Sequence, residues 1–74
     1  MQVVAATSGA PDAVLIHGDW VAVRTLRRPW LVDQLWWRSR PVNRLYFQVA
    51  PEEGPPFTLF HDLLSGDWFL QEYQ

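Results

Sequence analysis

The chain has 74 residues, no Cys, and five Trp, four Phe and two Tyr, with a formal net charge of −2. A single small domain of this size must draw its stability from apolar burial, because without Cys it has neither disulfides nor thiolate metal ligands. No apolar run approaches the roughly 18–20 residues of a membrane span, and residues 1–12 lack the charged-then-apolar pattern of a secretory signal, so the expectation is a cytoplasmic protein that crosses no membrane.

Residues 1–12 are weakly patterned and read as a flexible or loosely docked N-terminal segment, with Val3-Val4 able to add a short edge strand. Residues 13–74 read as a single small β domain. Its first strand covers 13–16 and its second 20–26, joined at His17-Gly18-Asp19, where Gly tolerates the positive φ that tight hairpins demand. Arg27-Arg28-Pro29 breaks the run, since Pro lacks the donor of a central ladder. Residues 30–37 form the most apolar element. Neither of its period-two faces is cleanly polar, so it is expected to be central or covered on both sides. After the polar connection 38–43, residues 44–50 alternate, with Leu45, Phe47 and Val49 inward and Arg44, Tyr46 and Gln48 outward. Pro51-Glu52-Glu53-Gly54-Pro55-Pro56 is a loop. Residues 57–63 set Phe57, Leu59 and His61 against Thr58, Phe60 and Asp62, and Ser65-Gly66-Asp67 turns the chain into a last strand at 68–73. The fold class is therefore all-β: five or six short antiparallel strands in a twisted meander sheet or small open barrel.

The tripeptide Gly-Asp-Trp occurs twice, at 18–20 and 66–68. Its structural explanation is the stronger one: Gly takes the left-handed dihedral, Asp hydrogen-bonds the turn backbone, and Trp clamps the following strand.

Charge is segregated. All six Arg lie between positions 24 and 44 with a single acid, Asp33, among them, and the other seven acids lie outside that segment. Either the acidic strands pair with this segment, or an Arg face is left for an anionic partner. The rings pose a similar choice. Each buries about 150–250 Å², so a sheet this small is expected to leave some of them for another molecule. Trp36 and Trp37 are adjacent and point to opposite sides of a strand. With Arg38, Arg40, Arg44 and Tyr46 they form the candidate partner-binding set. Aromatic rings and guanidinium groups serve protein hot spots and single-stranded nucleic-acid platforms alike. The alternative is a second mini-core, with the Arg side chains paired to Asp62, Asp67 or Glu72.

Catalysis finds little support. His61 and Asp62 point to opposite faces of one strand and make no dyad, while His17 and Asp19 share an exposed turn. Two distant His and no Cys make at most part of a zinc site, and no calcium loop or phosphate-cradling Gly-rich loop is present. The expectation is no enzyme, no cofactor and no metal.

The series Trp30…Asp33-Gln34-Leu35-Trp36-Trp37…Arg40-Pro41-Val42…Arg44-Leu45-Tyr46-Phe47-Gln48-Val49, followed by Leu59-Phe60-His61-Asp62-Leu63-Leu64-Ser65-Gly66-Asp67-Trp68-Phe69-Leu70, resembles a small bacterial domain of unknown function. That domain is found as a stand-alone protein and at the C-terminus of ImuB-type Y-family DNA polymerase homologues. The likeness runs from about Trp20 to Tyr73, and His61 stands where a Tyr or Arg is expected. It implies a non-catalytic interaction module associated with DNA-repair or translesion-synthesis assemblies, and brings no catalytic residue with it. The partner is then a protein or a second copy of the chain; the alternative is a β domain that binds single-stranded nucleic acid through an Arg/Trp face.

Overall fold

The computed structural model describes residues 1–34 and 41–71. Seven strands appear in chain order: β1 (Val3–Ala5), β2 (Pro11–Ile16), β3 (Asp19–Thr25), β4 (Trp30–Gln34), β5 (Val42–Pro51), β6 (Phe57–Asp62) and β7 (Trp68–Leu70). All pairings are antiparallel, and the sheet runs β1-β2-β3-β5-β6-β7 with β4 attached to β5. The sheet curls into an open half-barrel, as the all-β expectation holds. Among the described residues there is no helix, hence none long and apolar enough to cross a membrane.

The weakly patterned N-terminal segment supplies β1, an edge strand that sets Val3 opposite Val14. The ammonium group of Met1 lies 3.3 Å from the carbonyl oxygen of Trp68 and donates to it, so one end of the curled sheet reaches the other.

The two Gly-Asp-Trp turns differ in construction. At the first, Ile16 pairs with Asp19, and His17 and Gly18 both have positive φ, +50° and +83°. That is a two-residue type I′ turn, whose twist matches the flanking strands. At the second, Asp62 N–H donates to the Asp67 carbonyl and Gly66 N–H to the Asp62 carbonyl, enclosing a four-residue loop with Gly66 at φ +82°. The carboxylate that holds this loop belongs to Asp62, not to the Asp of the tripeptide: its Oδ1 accepts from Leu64 N–H at 2.9 Å and Ser65 N–H at 3.2 Å. An Asx side chain placed before a turn reaches the amides ahead of it, which Asp67 follows and cannot reach.

β3 and β4 lie end to end along one edge of β5, while β6 takes the other edge. Thr25 faces Val49 and Leu26 N–H donates to the Gln48 carbonyl, yet Trp30 already faces Tyr46. Arg27, Arg28 and Pro29 therefore stand opposite Phe47 alone, as a two-residue bulge in what is otherwise one long strand. For residues 30–34 this corrects the reading of 30–37 as central or doubly covered; 35–37 lie outside the described residues. Among the described residues β4 pairs only with β5, and Leu31 is 56% exposed.

The core fills the inside of the curl. Val14, Phe47, Val49 and Leu59 are buried there, with Val3, Ile16, Val21, Val23, Leu45, Phe57 and Trp68 packed against them. These are the inward positions of a period-two pattern, and Phe47 on the central strand is 2% exposed.

Candidate docking surface

The alternation that sends Leu45, Phe47 and Val49 inward sends Arg44, Tyr46 and Gln48 to the outer face. Register then places one ring from each of four strands in a row across that face: Trp30 opposite Tyr46, Tyr46 opposite Phe60, and Phe60 opposite Phe69. Successive ring centroids are 5.5, 5.1 and 5.2 Å apart, with interplanar angles of 10°, 38° and 25°. The spacing is that of neighbouring strands, so the rings stand on edge and turn their faces to one another. Phe60 is buried by its neighbours, Trp30 and Tyr46 are half-buried, and Phe69 at the end of the row is 42% exposed.

Two guanidinium groups lie on this row. Arg27, lifted out by the bulge, sits 4.9 Å from the centre of the Trp30 ring, and Arg44 sits 4.7 Å from that of Phe60. Arg44 faces Asp62 across the ladder, but its guanidinium covers the ring while the Asp62 Oδ1 is committed to the turn amides. A cation over a ring face is worth about 0.5–1 kcal/mol at an exposed site. It also holds a long side chain still and leaves its in-plane N–H donors facing outward.

Of the predicted partner-binding residues, Arg44 and Tyr46 meet in this row. Trp36, Trp37, Arg38 and Arg40 lie outside the described residues, as do Glu72 and Tyr73. Sequence reasoning missed Trp30, Phe60, Phe69 and Arg27 as members of the set. The signal was present in part: Phe60 shares a face with Thr58 and Asp62, as Tyr46 does with Arg44 and Gln48. Only the cross-strand register shows that these positions align.

The repeated Trp plays two roles rather than one. Trp68 clamps its strand: it stacks on His61 at 4.3 Å and 2° and meets Phe47 at 5.6 Å. His61 Nε2 is 3.2 Å from the Gly66 carbonyl, which can only accept, so that nitrogen carries the hydrogen. Trp20 is 52% exposed and stacks on no ring among the described residues. It lies opposite Leu15 on the outer face of the β2–β3 hairpin, where register gives it no core neighbour.

Among the described residues no three His, Asp or Glu side chains gather as metal ligands would. A depression on the surface is lined by Ala22, Val23, Arg24, Ala50 and Glu52, with no His in it. Comparison with family models, with curated proteins and with solved structures returned no match.

Proposed function

We propose that the chain is a non-catalytic interaction module that binds a protein partner, or a second copy of itself, on the outer face of its sheet. The observation that carries this reading is the register-aligned row Trp30, Tyr46, Phe60 and Phe69 with Arg27 and Arg44 upon it. The cluster Val14, Phe47, Val49 and Leu59 lies on the other face, and of the four rings in the row only Phe60 is buried. Aromatic rings with stacked Arg are the composition of interface hot spots, where a few such residues supply most of the binding energy.

The same residue types favour a second reading, a β platform for single-stranded nucleic acid. Such platforms offer ring faces on which bases stack. Here the faces are taken by neighbouring rings and by guanidinium groups, leaving mainly ring edges, and the chain as a whole is acidic. Both features favour a protein. The motif likeness to the C-terminal domain of ImuB-type polymerase homologues adds a setting, a translesion-synthesis assembly in the cytoplasm, and that setting rests on the quoted motif alone.

In-cell photo-crosslinking tests the proposal. A photoreactive amino acid in place of Phe69 is expected to trap a discrete protein adduct, either a partner or a dimer of the chain, whereas the same group in place of Glu53 in the β5–β6 loop traps none. Nucleic acid as the main adduct at position 69 would favour the second reading, and equal trapping at both positions would contradict both.

A further inference from the structure

Backbone phase fixes which atoms of β4 face outward. Leu63 N–H donates to the Asn43 carbonyl, and Leu26 N–H to the Gln48 carbonyl. Odd-numbered residues of β5 thus bond to β6, and even-numbered ones to the edge shared by β3 and β4. Tyr46, Arg44 and Val42 face Trp30, Val32 and Gln34. It follows that Leu31 and Asp33 turn their N–H and C=O groups away from the sheet, on an edge that pairs with nothing among the described residues. The other two open edges, β1 and β7, have three residues each and are tied together where Met1 donates to Trp68. β4 is longer, and among the described residues its edge is untied.

From this, and resting on the docking reading above, we infer that β4 receives an extended acidic segment of another protein as an added strand. Strand addition uses free backbone groups for affinity and alternate side chains for selection. On the outer face an incoming side chain would lie beside Trp30 and the Arg27 guanidinium, with the exposed Arg28 next to it in the bulge. On the inner face it would lie beside Leu31 and extend the row of Leu31 and Leu45. The fitting pattern alternates carboxylate and apolar residues.

The probe is a fluorescent peptide alternating Glu and Val, compared with one alternating Lys and Val, by anisotropy at low salt with the full chain. The Glu-Val peptide is expected to bind at least about ten-fold more tightly, with the difference shrinking as salt rises. N-methylating one alternate set of its amides should abolish binding and methylating the other set should not, because a strand pairs through one edge at a time. Arg27→Ala should weaken binding several-fold while circular dichroism stays unchanged. Equal binding of the two peptides, or equal tolerance of both methylation patterns, would overturn the inference. Should neither peptide bind while position 69 still traps a protein, edge pairing falls and the docking face stands; should position 69 also trap nothing, both fall.

Discussion

Gly18 and Gly66 hold φ values of +83° and +82°, and a Cβ built on either meets no atom within 4 Å. Replacing them therefore costs backbone strain and no clash. Gly18→Ala is expected to destabilise by about 1 kcal/mol and Gly18→Asn by much less, since Asn enters the left-handed region more readily; urea unfolding of the two variants checks this. The two Trp of the repeated tripeptide should part company in the same assay. Trp68 fills space between His61 and Phe47, so Trp68→Ala should cost about 3 kcal/mol. In a domain whose whole stability is on the order of 5 kcal/mol, that is most of it. Trp20 is exposed and has no such neighbours, so Trp20→Ala should stay within about 0.5 kcal/mol of wild type. Identical tripeptides gave no sign of this difference, because what separates them is the far strand each Trp meets.

At the scale of elements, the bulge at Arg27-Arg28-Pro29 makes a sharper prediction. Removing both Arg27 and Arg28 joins Leu26 to Pro29 and leaves Trp30 opposite Tyr46, with every β4 side chain on its present face. Pro29 then faces Phe47, whose own backbone bonds to β6, so no ladder donor is missed. This variant should fold, with the Arg44 and Tyr46 amides still protected from hydrogen exchange. Removing Arg28 alone leaves Arg27 and Pro29 opposite Phe47 as a one-residue bulge, which keeps Trp30 opposite Tyr46 and should protect the same two amides; fast exchange of them in either variant would contradict the end-to-end arrangement of β3 and β4. The breaker itself was legible in the sequence, as were both Gly turns and the alternation of 44–50, because each is local chemistry. That the break is a bulge, with β3 and β4 sharing one edge of β5, was not legible. Edge placement depends on which strand has a free side, and an apolar run such as 30–34 reads alike at the centre or the rim.

At the scale of the whole molecule, the sheet has two apolar faces and one core. The inside of the curl is closed by Phe47, Val49, Leu59 and Val14; the outside carries a row of rings of which only Phe60 is buried. The sequence revealed the surplus of rings and the concentration of Arg, and it named Arg44 and Tyr46, which do lie together. It did not reveal the row, since alignment across four strands requires three registers at once and composition specifies none of them. The central claim is that outer-face residues serve binding more than folding. It is tested most directly by comparing wild type with Phe69→Ser for two quantities: unfolding free energy, and the amount of protein that co-purifies with the tagged chain from cells. The account predicts a stability change below about 1 kcal/mol, as for an exposed site, together with loss of most of the co-purifying protein. Undiminished recovery with Phe69→Ser, or a collapse of stability as large as that of Trp68→Ala, would contradict it.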